Sequence, residues 1–229
     1  MHFGLQKLTL LDFPGFVACT VFSAGCNFRC PFCHNASLVN CPDQLPYSFE
    51  EVLDFLQKRS GILDGICLTG GEPLLCDEVL EVAAAARKLG FKVKLDTNGS
   101  FPEKLQMAVE KNLVDYVAMD IKSAPEKYAV ICGKSDVLPA VEESVKFLQS
   151  QPLEFEFRTT VAGSLHEAAD FARIGQWIGP VERYFLQPFA DSGDILSGNA
   201  ADYAVSDEFV QACLQEARKF VPNAAIRGR

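Results

Sequence analysis

The sequence predicts an α/β fold, an open partial (βα)6 TIM-like barrel with parallel strands, and three observations carry that prediction. Apolar, β-branched-rich segments alternate with amphipathic ones along the whole chain, the rhythm of parallel strands joined by crossover helices. The strand-like segments number about six, too few for a closed eight-stranded barrel. Short polar and charged residues gather where several of them end, at Gly70, Gly71 and Glu72, at Asp96, Thr97 and Asn98, and at Asp120 and Lys122. A barrel carries its site at those C-terminal strand ends. With 229 residues, 48% of them hydrophobic, residues 1–229 suit a single domain around one core.

Strands are expected over residues 17–23, 65–69, 92–96, 116–121, 154–161 and 183–188, runs rich in β-branched and aromatic residues between turn residues. Ser48 with Glu51 and Ser164 with Glu167 read as capping boxes that open two helices. Gly61 and Gly90 stand where helix C-termini belong. Further helices are expected over 77–89, 102–111, 138–149 and 206–221. Residues 191–203, rich in Gly, Ser, Asn and Asp, read as a long surface loop. There is no internal repeat, low-complexity tract or linker.

Composition excludes several function classes. No apolar run reaches the roughly 18 residues of a membrane span, the best stretch being broken by Pro14, Gly15, Ser23 and Gly25. The N-terminus lacks the basic, apolar, cleavage-site order of a secretory signal, so a cytoplasmic address without a membrane partner is expected. A formal charge of −9 argues against a broad basic surface and against a nucleic-acid partner. Nine cysteines, an odd number with no export signal, point to reduced or metal-bound thiols.

Directly after the first strand runs Cys26-Asn27-Phe28-Arg29-Cys30-Pro31-Phe32-Cys33-His34-Asn35, with three thiols able to converge from one irregular loop. Three thiolates suit a cubane cluster with one iron left open, whereas closed structural sites want a fourth ligand. The alternative is a zinc knuckle completed by His34 or Cys41; His34 follows Cys33 directly, which makes joint ligation of one small ion awkward. Cys19, Cys41, Cys67, Cys76, Cys132 and Cys213 are scattered, mostly in apolar segments, and read as buried small hydrophobes.

Physical chemistry also marks single positions. Gly70 and Gly71 let backbone approach a ligand closely, and Glu72 follows them as a loop carboxylate. Asp120 and Lys122 flank Ile121 and share one face. Arg158 inside a strand needs a partner, and a carboxylate or ribose in the barrel mouth would provide one. His2 and His166 suggest no chemistry.

The Cys-x3-Cys-x2-Cys loop, with Phe32 before its last cysteine and Gly70-Gly71-Glu72-Pro73 after the second strand, resembles the radical S-adenosylmethionine superfamily. Leu5-Gln6-Lys7-Leu8, Asp12-x-Pro14-Gly15, Cys33-His34-Asn35, Asp96-Thr97-Asn98-Gly99, the run from Asp115 to Lys122 and Phe157-Arg158-Thr159-Thr160 are similar to the activating proteins of glycyl radical enzymes, above all the anaerobic ribonucleoside-triphosphate reductase activating family. The resemblance implies one 4Fe-4S cluster on Cys26, Cys30 and Cys33, whose open iron chelates S-adenosyl-L-methionine. One electron then gives methionine and a 5′-deoxyadenosyl radical, which takes hydrogen from a glycine of the partner, the anaerobic reductase. It further implies cofactor contacts at Phe32, His34, Gly70, Gly71, Glu72, Asp96, Thr97, Asn98, Lys122, Arg158 and Gln187, with Lys122 close to substrate. A monovalent cation beside Asp96 and a meeting of Asp12 with the glycyl peptide are also implied. Gln187 departs from the pattern, since related activating enzymes often carry a histidine there. A single cluster implies an outside reductant, a flavodoxin or ferredoxin. Two other readings remain open: a radical enzyme acting on a small molecule such as a deazapurine precursor, and a non-catalytic metal-binding interaction module.

Overall fold

The structure, a computed structural model, describes residues 2–40, 45–191 and 193–228. Its strands are β1 (His2–Thr9), β2 (Ala18–Ser23), β3 (Tyr47–Ser48), β4 (Gly65–Gly70), β5 (Lys92–Thr97), β6 (Tyr116–Asp120), β7 (Glu154–Val161), β8 (Tyr184–Pro188) and β9 (Ala225–Ile226). They form one sheet in the order β3-β1-β2-β4-β5-β6-β7-β8-β9. The six expected strands are β2 and β4 to β8, all parallel neighbours, so the partial parallel barrel is as the sequence predicts. The sheet is longer than expected at both ends, because β1 adds antiparallel to β2, β3 antiparallel to β1 and β9 parallel to β8.

The helices are α1 (Ala36–Val39), α2 (Phe49–Arg59), α3 (Glu78–Lys88), α4 (Pro102–Glu110), α5 (Tyr128–Cys132), α6 (Leu138–Ser150), α7 (Ala168–Ile178), α8 (Ala200–Tyr203) and α9 (Asp207–Arg218). None of the described helices is long and apolar enough to cross a membrane. Strand alternation divides the chemistry. The outward residues Cys19, Val21, Ile66, Leu68, Val93 and Leu95 pack on Val52, Leu56, Val79, Val82, Ala83 and Ala86 of the helices. The inward ones include Thr20, Cys67, Lys94, Asp96, Glu156 and Arg158, side by side in register across neighbouring strands. Each outward Leu, Ile or Val so buried contributes about 1.5–3 kcal/mol, whereas the polar interior must satisfy itself by pairing. Phe13, Ala18, Tyr116 and Ala118, with Phe16, form a small separate apolar cluster at the N-terminal ends of β2 and β6.

The capping box of Ser48 and Glu51 opens α2, with Ser48 N–H to Glu51 Oε2 at 2.8 Å. Gly61 (φ +76) and Gly90 (φ +89) follow α2 and α3, a left-handed turn that glycine adopts without a Cβ penalty. The second expected box is displaced: it joins Glu167 to Asp170, and α7 begins at Ala168. The cause is Asp170, fully buried and clamped by Lys127 at 2.7 Å and Arg173 at 3.1 Å, which draws the cap three residues past Ser164. The expected surface loop at 191–203 is also corrected. Ser37 Oγ donates to Asp194 at 2.8 Å, Ser197 N–H donates to Pro31 O at 3.1 Å, and Tyr203 at the end of α8 is buried edge-on against Phe32 and Phe189. The described part of this segment is therefore a strap over the cysteine loop.

Candidate active site

A cavity of about 250 Å³ opens at the C-terminal ends of the parallel strands. Its wall takes Cys26, Cys30 and Cys33 from the loop after β2, Thr69 and Gly70 from β4 with Gly71 just after it, Asp96 and Thr97 from β5 with Asn98 just after it, Asp120 from β6 with Lys122 beyond its end, Arg158 and Thr160 from β7, and Gln187 from β8. Phe28, Phe32, His34 and Asn35 complete the loop side. Elements spread over about 160 residues thus meet in one mouth.

The cysteine loop is fixed by backbone bonds from several directions. Gly25 N–H donates to Leu38 O (2.8 Å), Glu72 N–H to Gly25 O (2.9 Å), Gly71 N–H to Ser23 O (3.0 Å) and Arg29 N–H to Cys132 O (2.7 Å). Asn35 Nδ2 donates to Gly70 O at 3.1 Å. A Cβ on Gly71 would lie 1.9 Å from Gly25 O, and one on Gly70 2.2 Å from Ser23 O. The close approach these glycines permit is therefore to the cysteine loop itself, where Gly71 N–H donates to Ser23 O.

Glu72 differs more. It is fully buried and its carboxylate accepts from Leu74 N–H (3.0 Å), Thr97 Oγ1 (2.8 Å) and Asn98 N–H (2.7 Å). Burial pushes its carboxyl up to about 7 against the pull of these three bonds. It holds the β5 end and is not among the residues that line the cavity. Asn98, so placed, turns its Nδ2 to Asn27 Oδ1 at 3.0 Å and to Cys26 Sγ at 3.9 Å.

Inside the mouth runs a ladder of alternating charge: Lys94, Asp96, Arg158, Asp120, Lys122. Lys94 pairs with Asp96, Arg158 with Asp96 at 3.3 Å and Asp120 at 2.9 Å, and Lys122 with Asp120 at 2.8 Å. Arg158 therefore finds its carboxylates within the protein, and Asp96 is paired with both Lys94 and Arg158. Burial alone would raise both aspartates; Arg158 and the neighbouring lysines overcome it and hold them below the usual carboxylate range. Burial likewise opposes the charge on Lys122, and Asp120 reverses that and holds the ammonium charged. Three cations face two carboxylates, so the ladder keeps one excess positive charge.

Asp12 does not line the cavity. Its carboxylate accepts from Thr20 Oγ1 on β2, which ties down the turn before that strand. His34 stacks on Phe189 with centroids 5.1 Å apart. His166, given no role by the sequence, is buried and spans two backbones: Nδ1 accepts from Ala162 N–H (3.1 Å), so Nε2–H donates to Lys122 O (3.0 Å). Sequence spacing held no sign of this contact, which joins residues 44 apart.

The three thiols differ from one another. Burial pushes Cys26 up to about 11 and raises Cys33. Cys30 is lowered, first by a hydrogen bond with the Cys132 thiol. No three described His, Cys, Asp or Glu side chains are arranged to hold one metal ion. Three sulfurs lining a common cavity, one of them, Cys26 Sγ, touching protein N–H donors, fit the wider cubane cluster, whose ligand sulfurs accept such bonds. For a zinc knuckle, His34 is engaged with Phe189 and Cys41 lies outside the described residues.

The description "Radical SAM superfamily" matches residues 20–161. The chain is 31% identical over 194 residues to MJ1227 of Methanocaldococcus jannaschii, named as a candidate glycyl-radical enzyme activating enzyme, covering 81% of this chain and 78% of that one. It is 30% identical to the pyruvate formate-lyase-activating enzyme of Clostridium pasteurianum, covering 83% and 82%. Among solved structures, Streptococcus suis SuiB bound to precursor peptide SuiA matches with a TM-score of 0.69 at 13% identity, over 90% of this chain and 47% of that one. The chain thus spans about half of that structure, a likeness of fold. With the cysteine loop, the glycines of β4 and the open parallel barrel in one arrangement, the chain belongs to the radical S-adenosylmethionine superfamily, whose cofactors are a 4Fe-4S cluster and S-adenosylmethionine.

Proposed function

We propose that this protein activates a glycyl radical enzyme, with the anaerobic ribonucleotide reductase as its partner and a flavodoxin or ferredoxin as its reductant in the cytoplasm. The observation that carries the reading is the match to two activating enzymes over about four-fifths of both chains. When bound, the cluster supplies the electron that cleaves S-adenosylmethionine to methionine and a 5′-deoxyadenosyl radical.

The chain's own residues orient and exclude. Cys26, Cys30 and Cys33 hold the cluster at one wall. Across the cavity, the excess cation of the ladder, presented by Lys122 and Arg158, offers a charged donor to a ligand carboxylate. Thr69, Thr160 and Gln187 add polar contacts for a ribose, and Phe28 and Phe32 keep water from the loop side. Asn98 and Thr97 are positioned by Glu72, and Lys122 by His166. Asp12 is left out of this assignment, since Thr20 engages it away from the cavity.

Anaerobically reconstituted protein tests the reading. About four irons per chain and 5′-deoxyadenosine release that is lost in Cys30→Ala establish the cofactor chemistry. A glycyl-radical doublet in electron paramagnetic resonance of the anaerobic reductase then supports the partner. Release that depends on a small molecule, with no radical on any glycyl enzyme, overturns the activase reading; stoichiometric zinc overturns the enzymatic one.

A further inference from the structure

One charge of the ladder stands behind the cavity rather than in its wall. Lys94 precedes Asp96 by two residues on β5, so both side chains point to the barrel interior. It is 2% exposed and is not among the residues that line the cavity. The interior of a parallel barrel is ordinarily filled by branched apolar side chains, and a lysine there carries a desolvation cost that a partner at best offsets. Burial opposes its charge; Asp96 overcomes that and keeps the ammonium charged. Lys94 Nζ pairs with Asp96 Oδ1 and stands 3.8 Å from Cys67 Sγ.

From Asp96 the bonds run in one line towards Lys122. Asp96 Oδ2 accepts from Arg158 Nη1 at 3.3 Å, Arg158 Nε donates to Asp120 Oδ1 at 2.9 Å, and Asp120 Oδ2 accepts from Lys122 Nζ at 2.8 Å. The four residues of this line all belong to the cavity wall. By themselves they balance, two cations against two carboxylates, and Lys94 is the charge that leaves one in excess. Elsewhere in the interior, Arg227 bonds both oxygens of Glu156, and half-buried Asp12 accepts from Thr20 Oγ1; these charges are common to every variant below. We infer that Lys94 is a positioning residue that sets the charge of the mouth. By holding one oxygen of Asp96 it releases Arg158 and Lys122 to face a ligand carboxylate, and so makes the cavity prefer S-adenosylmethionine over the same molecule without its carboxylate. Charges act over several ångströms in a low-dielectric interior, so Lys94 does this without touching the ligand. The inference rests on the reading that this cavity receives S-adenosylmethionine.

The test measures equilibrium dialysis of S-adenosylmethionine and of decarboxylated S-adenosylmethionine against the full chain, anaerobically reconstituted and left oxidised so that no cleavage occurs. Lys94→Met is expected to weaken S-adenosylmethionine by about five- to twentyfold and the decarboxylated form by less than about twofold, so the preference between them falls. The iron's own preference for a carboxylate is the same in both chains and drops out of the comparison. The double variant Lys94→Met with Asp96→Asn removes one charge of each sign, restores the excess of one, and is expected to recover the native preference. Asp96→Asn alone raises the excess to two and is expected to strengthen it. A Lys94→Met chain that weakens both ligands equally, or neither, overturns the inference and leaves Lys94 as a structural pair for Asp96. Should Lys94→Met fail to hold iron, the other two variants decide: a stronger preference in Asp96→Asn than in the double variant upholds the proposal, and equal preferences overturn it. Iron content and S-adenosylmethionine binding of the native chain, measured first, separate this failure from failure of the cofactor reading itself.

Discussion

Replacing Gly71 by alanine should separate the cysteine loop from β4. Gly71 has no positive φ, so alanine meets no backbone strain; the conflict is contact. A Cβ would stand 1.9 Å from Gly25 O and 2.6 Å from Gly25 C, against the 3.4 Å at which ordinary contact begins. The backbones must part by more than an ångström, which breaks the Gly71 to Ser23 and Glu72 to Gly25 bonds of 3.0 and 2.9 Å. Two lost hydrogen bonds at about 0.5–1.5 kcal/mol each and about 1–3 kcal/mol of overpacking give a loss of about 2–6 kcal/mol. Anaerobic urea unfolding of the cluster-free chain should show it as a lower midpoint at unchanged slope, and reconstitution should return less iron. Gly61→Ala is the control: nothing lies within 4 Å of its Cβ and φ is +76, so it should cost about 1–2 kcal/mol with full iron loading. A Gly71→Ala chain with native midpoint and iron content refutes the reasoning.

Three further outcomes follow from the interior. Arg158→Met leaves Asp96 and Asp120 with one lysine each, and as a broken buried network should lose about 3–5 kcal/mol; a loss below about 1 kcal/mol in urea unfolding would show that the ladder does not depend on it. Because Asp96 and Asp120 are held below the usual range, the unfolded chain takes up their protons first as pH falls, so their stabilisation is complete above the ordinary carboxylate value and is lost below it. Glu72 has the opposite sign: raised to about 7 from 4.5, it binds its proton more tightly when folded, so stability falls as pH climbs through that window, and Glu72→Gln should flatten this slope in a pH series of unfolding midpoints. An unaltered slope sinks that account. His166→Phe strands Ala162 N–H and Lys122 O and should cost about 2–4 kcal/mol; a chain as stable as native would remove His166 from the support of Lys122.

What the sequence disclosed was local. The six parallel strands were legible because most of their outward residues are apolar, and the cysteine loop because its three cysteines lie within a few residues. β1 was missed because His2, Gln6, Lys7 and Leu8 are exposed, which leaves no clean alternation, and because a turn through Pro14 and Gly15 parts it from β2. β3 and β9 are two-residue bridges, too short to leave a pattern. The roles of Glu72, Arg158 and His166 depend on partners 25, 38 and 44 residues away, and residue type alone could not tell a contact with a ligand from a contact with another strand end. The capping box at Ser164 failed for the same reason, since Lys127 rather than local sequence selects Asp170.

The strap over the cysteine loop also sets a timetable. Ser197 reaches Pro31 and Asp194 reaches Ser37, the latter across 157 residues. In a chain made N-terminus first at about 5–20 residues per second, residue 197 follows Cys33 by about 10–30 s. For that interval the three thiols exist without the cover that later encloses them, open to stray metal and to oxidant. Loading the right group is therefore a race run during synthesis, and its finish is set by the last quarter of the chain rather than by the loop that bears the ligands.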